Sequence, residues 1–186
     1  FDLCKLFVGS RGTLGVIVEA TFKLLPKPEA EVFLKKEYTS LDDAEQSLNQ
    51  LWVSDLQPHV LDLHRLDEQP VNLVAGFAGA RADVESQTMA AGEFGLRTET
   101  NLDYDATFRP TAHVTESAAP ADAINHLRSK TDCDFVARAG NGVVYVRHRH
   151  PEEFKGGIGD DLGFGPPALQ TRIKNTFDPE GVLPKL

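Results

Sequence analysis

The order of strand-like and helix-like patterns after Pro28 is the feature that most constrains the fold of this chain. The run VNLVAGFAG, from Val71 to Gly79, is continuously apolar and predicts a buried strand. Alternating or β-branched stretches predict further strands at residues 31–38, 59–66, 112–116, 133–138 and 143–147. Apolar residues at helical spacing predict helices at 40–52, 82–94 and 120–130. This order predicts an α+β fold, an antiparallel sheet with helices on one face.

Local signals set the ends of several elements. Ser40, which precedes an acidic pair, is typical of a helix N-cap. Asn141-Gly142 between two strand-like runs predicts a hairpin turn. The remaining predictions are a polar loop at 97–109, a Gly- and Pro-rich loop at 156–167 and a final helix at 168–177.

The chain is acidic, and its charge excludes some partners. Lys and Arg number 19 against 28 Asp and Glu, giving a net charge of -9, and residues 38–127 hold 4 basic and 15 acidic groups. Such a surface repels phosphate backbones and anionic lipid, so we expect no nucleic-acid partner and no membrane partner. No apolar run reaches the roughly 20 residues of a spanning helix and no signal peptide is apparent, so we expect a cytoplasmic protein. Cys4 and Cys133 lack metal-ligand spacing and are expected to be buried thiols rather than a disulfide or a zinc site.

Three glycines within seven residues mark the most chemically informative segment, GSRGTLG at Gly9–Gly15. Glycine permits positive φ, and successive N–H groups in such a turn can form a concavity that binds anions. The hydroxyls of Ser10 and Thr13 add donors suited to phosphate oxygens. From these residues alone two interpretations stay open: a tight turn before a strand at 16–25, or a phosphate-binding turn. The segment is neither a G-x-G-x-x-G fingerprint nor a Walker loop.

The stretch DLCKLFVGSRGTLGVIVEATFKLLPKPE, residues 2–29, resembles the end of the FAD-binding domain in FAD-linked oxidases of the vanillyl-alcohol oxidase type. The likeness is greatest to the glycolate oxidase and D-lactate dehydrogenase branch. It implies that the Gly-rich turn lies against the FAD pyrophosphate and that the following strand meets the adenine. The residues implicated are Gly9, Ser10, Gly12, Thr13, Leu14 and Gly15 at the pyrophosphate, with Val16 and Ile17 at the adenine.

The same resemblance implies a division into two domains. Residues 1–28 correspond to the C-terminal end of the FAD-binding domain, including its last strand, and residues 29–186 to the cap or substrate domain with a closing helix. The ending KNTFDPEGVLPKL, residues 174–186, is similar to the closing segment of the family.

The family's other pyrophosphate loop would precede Phe1, so the chain is expected to be a fragment of a longer flavoenzyme. We expect the fragment alone to bind FAD weakly or not at all and to be inactive. The missing N-terminal FAD-binding segment, or other oxidase subunits, are the expected macromolecular partners.

The sequence also departs from the family pattern. Arg11 stands where many relatives have Glu. The stretch RAGNG, residues 138–142, is similar to the family motif His-Ala-Gly-Asp-Gly-Asn-x-His, but Arg138 and Tyr145 occupy its two His positions. We therefore predict no metal site in this chain.

Candidate catalytic residues lie at the ends of two predicted strands. His64 and Arg65 end one of them, and a cation there suits the carboxylate of a 2-hydroxy acid while His64 could accept its hydroxyl proton. Arg147 and His148 end another, where a guanidinium could clamp a carboxylate and an imidazole relay a proton. For both pairs a solvated strand end or a structural histidine stays open as the alternative.

The resemblance implies an FAD-linked oxidase or dehydrogenase whose complete form oxidises a small 2-hydroxy acid, such as glycolate or D-lactate, by hydride transfer to FAD. The alternative is a non-catalytic α+β module that binds a small molecule or another protein and in which the Gly-rich segment is only a turn.

Overall fold

The computed structural model describes residues 3–10, 12–150 and 167–185, and it divides the chain into two units. The first unit comprises residues 1–26 and 163–186, and the second comprises residues 27–162. The assignment of residues 1–28 to an FAD domain and of 29–186 to a cap domain stays a prediction.

The elements of each unit follow from local patterning. The first unit contains helices α1 (Cys4–Phe7) and α6 (Pro167–Phe177). The strands of the second unit are β1 (Ala30–Tyr38), β2 (Val60–Arg65), β3 (Val71–Gly79), β4 (Thr98–Thr100), β5 (Val114–Ser117), β6 (Cys133–Arg138) and β7 (Val143–His148). Its helices are α2 (Leu41–Trp52), α3 (Arg81–Glu93), α4 (Asp103–Phe108) and α5 (Ala123–Arg128), with 3-10 turns at Arg109–Thr111 and Pro120–Asp122.

The seven strands assigned among the described residues form a single sheet in the order β4-β1-β3-β2-β6-β7-β5. Neighbouring strands pair antiparallel throughout, from Leu34 opposite Ala75 to Phe135 opposite Val146. The apolar strand β3 lies inside the sheet, where both of its edges are hydrogen-bonded. Seven of its nine residues are buried, as its continuous apolar sequence predicts.

The pleat of the sheet separates two faces of different chemistry. On one face, alternate strand residues such as Leu63, Leu73 and Phe135 are fully buried in the hydrophobic core. Helices α2, α3 and α5 contribute Leu48, Val84, Leu127 and their apolar neighbours to this core. The opposite face carries polar residues and receives the short helix α4, which contacts it through side-chain hydrogen bonds.

Most sequence-based elements are confirmed within a few residues, including the Ser40 cap. The Ser40 hydroxyl accepts the Asp43 N–H at 3.1 Å, which satisfies one free amide of the first turn of α2. The Asn141-Gly142 turn also joins β6 to β7 as predicted. These confirmed elements give the predicted α+β class. The sheet is antiparallel, and helices α2, α3 and α5 pack on one of its faces.

Two stretches differ from the predictions. The expected loop at 97–109 contains β4 and α4, because Lys35 and Phe33 of β1 provide ladder partners for β4 and α4 is stabilised by the polar sheet face. The expected strand at 16–25 has no regular secondary structure, because no described residue pairs with its backbone. The predicted loop at 156–167 lies outside the described residues, except for Pro167, which begins α6.

Candidate functional site

The Gly-rich turn follows α1 and depends on two glycines with positive φ. Gly9 has a φ of 86° and Gly12 a φ of 79°, in the left-handed region that other residues adopt only with strain. The backbone N–H and the hydroxyl of Thr13 both donate to the Ser10 carbonyl, at 2.9 and 2.7 Å. The Thr13 hydroxyl therefore donates its proton to a hydrogen bond within the turn and not to a ligand.

Part of the turn presents free donors and open space. Within the described chain, the amides of Gly12, Leu14 and Gly15 donate no hydrogen bond. A Cβ added at Gly12 would meet no atom within 4 Å, whereas one at Gly15 would lie 2.9 Å from the Phe7 ring. An uncrowded surface with free N–H groups is the kind of backbone surface that accepts an anion.

The residues expected at an adenine are exposed. Val16 is 75% exposed and Ile17 is 61% exposed, and neither lies in a strand. Exposed apolar side chains of this size are available to a flat apolar ligand or to a further protein surface.

Lys174 on α6 connects the turn to the end of the chain. Its ammonium donates to the carbonyl of Thr13 at 2.6 Å, to Asp178 Oδ2 at 2.6 Å and to the carbonyl of Leu183 at 3.3 Å. Asp178 also accepts the N–H groups of Val182 and Leu183, at 2.9 and 3.0 Å. The Lys174 hydrogen bond is the main cause of a lowered Asp178 pKa.

In the second unit, a polar cluster occupies the sheet face opposite the core. We call it the sheet-face cluster; its members are Asp62, His64, Tyr104, Asp105 and Arg138. Asp62 and Arg138 are directly opposite each other on β2 and β6. Helix α4 brings Tyr104 and Asp105 onto the same face.

Burial sets the ionisation of the Asp62–Tyr104 pair. The Tyr104 hydroxyl donates to Asp62 Oδ2 at 2.8 Å, and Asp62 is only 6% exposed. Burial raises the pKa of Asp62, although the Tyr104 hydrogen bond and the Arg138 charge oppose the shift. Burial and the nearby Asp62 carboxylate also raise the pKa of Tyr104. This hydrogen bond fixes the orientation of both groups.

Arg138 is the cation of the sheet-face cluster. Its Nη2 donates to Asp105 Oδ2 at 2.9 Å, and its guanidinium carbon lies 5.8 Å from the centre of the Tyr145 ring. About a third of the Arg138 side chain is exposed. Arg138 and Tyr145, which stand where the resembled motif has its two histidines, therefore contact each other through a guanidinium and a ring.

His64 is a neutral member of the same cluster. Its ring stacks on Tyr104 with the centroids 4.1 Å apart and the planes 19° apart. Burial, with a smaller contribution from the Lys35 charge, lowers the pKa of His64 to about 4. Its Nδ1 is buried and has no hydrogen-bond partner among the described residues. The imidazole is thus a neutral group at ordinary pH.

A cleft of about 280 Å³ opens beside this cluster. Asp62, Asp105 and Arg138 line it together with the start of β2 and the turn after β6. This volume suits a small molecule, and charged side chains on its wall provide both donors and acceptors.

The other sequence-predicted cations are engaged within the protein. Arg65 lies on the core side of β2, and its Nη2 donates to the carbonyls of Lys130, Thr131 and Cys133. The guanidinium of Arg147 is bonded to Asp134 at 2.6 Å and to Asp67 at 2.9 Å. His64 and Arg65 therefore point to opposite faces and do not form one site.

Asp134 binds a second guanidinium near the end of β7, where two histidines also lie. Arg149 also bonds Asp134, at 2.9 Å, and the two guanidinium groups outweigh burial and lower the Asp134 pKa. His148 lies 3.3 Å from Cys133 Sγ and donates its N–H to His113 Nδ1. Burial lowers the pKa of His148. No group of three metal-ligating side chains occurs among the described residues.

Several residues of these sites were not assigned a role by the sequence analysis. The alternation in HVLDLHRL places Asp62 and His64 on one face, so the sequence carried a signal for Asp62. Tyr104 and Asp105 lay in an expected loop and carried no such signal. Lys174 appeared in the sequence only as the first residue of the closing segment, with no role predicted for it.

The sequence of this chain is similar to parts of known oxidases and dehydrogenases. The chain is 37% identical over 78 residues to glycolate oxidase subunit GlcD of Bacillus subtilis, a match that covers 42% of this chain and 16% of the relative. It is 37% identical over 91 residues to D-lactate dehydrogenase [cytochrome] 1, mitochondrial, of Saccharomyces cerevisiae, covering 48% of this chain and 15% of the relative. No family model matches the chain.

A solved structure supports the fold. The structure of an alkyldihydroxyacetonephosphate synthase is similar to that of this chain, with a TM-score of 0.60 and 13% sequence identity. The similarity covers 98% of this chain and 47% of the synthase chain. The sequence relatives are thus glycolate oxidase subunits and D-lactate dehydrogenases, the branch of the FAD-linked oxidases that the sequence resemblance implied. The chain spans a sixth or less of the length of these relatives in the matched stretch. No described helix is long and apolar enough to cross a bilayer.

Proposed function

We propose that this chain is part of an FAD-dependent oxidoreductase that oxidises a small 2-hydroxy acid of the glycolate or D-lactate type. The similarity to a glycolate oxidase subunit and to D-lactate dehydrogenases is the observation that carries the proposal. The free amides of the Gly-rich turn and the charged cleft beside the sheet-face cluster add support from the chain's own residues.

The Gly-rich turn fits the diphosphate of FAD. Gly9 and Gly12 give it a backbone shape that other residues strain to adopt, and the amides of Gly12, Leu14 and Gly15 are free to donate. In this proposal the diphosphate is held by Gly9, Ser10, Gly12, Thr13, Leu14 and Gly15, and Val16 and Ile17 contact the adenine. FAD, when bound, supplies the acceptor for the hydride of the substrate.

Arg138 is the best-placed cation for the substrate carboxylate. It lines the cleft, keeps about a third of its side chain exposed and bonds one carboxylate, Asp105. Arg65 donates to three backbone carbonyls, and Arg147 bonds two carboxylates. A guanidinium can give a carboxylate two parallel hydrogen bonds, which orients the acid as well as holding it.

Asp62 is the candidate acceptor for the hydroxyl proton, because it lines the same cleft as Arg138. His64 lies on the same sheet face but is stacked under Tyr104 and is not among the residues that line the cleft.

The rest of the cofactor site is proposed to come from other residues or other subunits. The matched stretches cover 16% of the GlcD relative, whose name describes it as a subunit. We therefore expect the 186-residue chain alone to bind FAD weakly or not at all, and to need an FAD-binding partner segment for turnover.

Anaerobic mixing of the complete gene product with glycolate, D-lactate or L-lactate tests the proposal. We expect the protein to purify with FAD and a 2-hydroxy acid to bleach the flavin absorbance. The substitution Arg138→Met is expected to raise KM at least about ten-fold while flavin content stays unchanged, because it removes a charge-assisted hydrogen bond. The exposed Arg81→Met is the matched control. A complete product without flavin, or flavin that no 2-hydroxy acid reduces, would contradict the proposal.

A further inference from the structure

The ammonium of Lys174 is saturated by protein oxygens. An ammonium has three N–H donors, and three oxygens lie within hydrogen-bond distance of Lys174 Nζ: those of Thr13, Asp178 and Leu183. Only 11% of the Lys174 side chain and 5% of the Asp178 side chain are exposed. Lys174 therefore has no donor left with which to bind a phosphate itself.

Its hydrogen bond to Thr13 constrains the neighbouring peptide. A trans peptide is planar, and its C=O and N–H groups point in opposite directions. Holding the Thr13 carbonyl at 2.6 Å from Lys174 therefore aims the Leu14 N–H to the side away from Lys174. That amide donates no hydrogen bond within the described residues, and the Leu14 side chain is buried.

The Ser10 carbonyl fixes the other side of the same residue. It accepts both the N–H and the hydroxyl of Thr13, so Thr13 is held at its donor groups as well as at its carbonyl. The turn thus has little freedom to rotate the Thr13–Leu14 peptide. Preorganised donors bind an anion more tightly because less ordering remains to be done on binding.

We propose that Lys174 is a positioning residue, which orients the Leu14 amide of the Gly-rich turn toward the diphosphate of FAD. This inference rests on the proposed function. Lys174 acts through the Thr13–Leu14 peptide and makes no contact with the cofactor. Asp178 serves to hold the ammonium in place and to close the turn formed by Val182 and Leu183.

The test compares Lys174→Met with Asp178→Asn in the complete gene product. Lys174→Met removes the bond to Thr13, whereas Asp178→Asn disturbs the C-terminal turn but leaves Lys174 able to reach the Thr13 carbonyl. The FAD dissociation constant is measured by flavin fluorescence after removal of the flavin, and the melting temperature of the flavin-free protein is measured beside it. We expect Lys174→Met to weaken FAD binding at least about ten-fold and Asp178→Asn to weaken it by less than about three-fold.

Each result bears on the inference. Wild-type affinity in Lys174→Met overturns it, and so does equal weakening in both variants at equal loss of melting temperature, which would show a purely structural role. If Lys174→Met does not fold, Lys174→Arg replaces it. A planar guanidinium cannot donate to three converging oxygens as an ammonium does. We therefore expect Lys174→Arg to weaken FAD binding more than about three-fold, and unchanged FAD binding in this variant overturns the inference. A wild-type protein that binds no FAD refutes the proposed function itself, which separates the two failures.

Discussion

At the scale of single residues, His64 shows how burial decides the chemistry of a site. It lies on the polar sheet face, yet its ring is covered by Tyr104. Removal from water disfavours the charged imidazolium, so the His64 pKa falls to about 4 from an ordinary 6.5. The neutral ring therefore stacks on Tyr104 without adding a charge to the sheet-face cluster.

The lowered His64 pKa makes stability depend on pH with a defined sign. The unfolded chain takes up a proton near pH 6.5 and the folded chain only near pH 4, so His64 contributes its full stability above the higher value and loses it as the pH falls between the two. We expect about 2 kcal/mol to be lost between about pH 7 and about pH 5. Urea unfolding of the wild type and of His64→Gln at both pH values measures this. Equal losses in the two proteins would show that His64 is not the group responsible.

His64 and Arg65 also illustrate why adjacent residues on a strand do not share a site. Successive side chains point to opposite faces, so His64 joins the sheet-face cluster while Arg65 lies over the Phe135 ring. The sequence pattern predicted strand β2 correctly, and its period-two alternation places the candidate catalytic residues His64 and Arg65 on opposite faces. Which side chains contact His64 and Arg65 was decided by the tertiary structure.

At the scale of elements, the β6–β7 hairpin depends on the backbone of its turn. The Arg138 carbonyl accepts the N–H groups of Asn141 and Gly142, at 3.1 and 2.8 Å. Gly142 has a φ of 76°, and a Cβ there would lie 1.8 Å from the Ala118 carbonyl oxygen. The hairpin holds Arg138 at the cleft, so its turn affects the candidate substrate site.

We expect Gly142→Ala to destabilise the protein by at least about 2 kcal/mol. Positive φ alone costs a residue with a Cβ about 1–2 kcal/mol, and the contact with Ala118 adds to it. The matched control is Gly140→Ala, where a Cβ would meet no atom within 4 Å, and whose effect should stay within about 0.5 kcal/mol. Chemical denaturation of both variants measures the difference. Similar midpoints for the two would contradict the steric argument.

Helix α4 marks a limit of element prediction. It has six residues and only Phe108 is buried, so its sequence has no apolar periodicity to detect. It forms where Tyr104 and Asp105 find Asp62 and Arg138 on the sheet, partners that are 42 and 33 residues away in the chain. A short helix stabilised by distant polar partners cannot be recognised from local pattern.

At the scale of the whole molecule, residues 16–25 carry the largest group of exposed apolar side chains among the residues that the structure describes. Val18 is 93% exposed and Phe22 is 78% exposed, and Leu24 and Leu25 are similarly open. Several exposed apolar side chains within one short segment are typical of a region that another protein surface covers. Its apolar sequence suits a strand, but a strand requires a partner for its backbone groups.

The exposed segment predicts self-association of the 186-residue chain. We expect its weight-average mass in sedimentation equilibrium to rise with concentration, because association removes apolar side chains from water. The double substitution Val18→Lys and Phe22→Lys should abolish most of this rise. Val53→Lys, at the equally exposed end of α2 and outside the segment of residues 16–25, serves as the control and should leave the association unchanged. A wild-type chain that stays monomeric throughout would refute the prediction.

The sequence by itself determined the main strands and helices, the Ser40 cap, the hairpin turn and the family resemblance, because each depends on local spacing or on a contiguous motif. Only the tertiary structure decided which charged groups face a common cleft. Arg138, Asp105 and Asp62 come together through the register of β2 and β6 and the docking of α4, and Lys174 reaches Thr13 across 161 residues. Such contacts depend on which distant segments meet, and that is set by the packing of the core and the pairing of strands rather than by any local pattern.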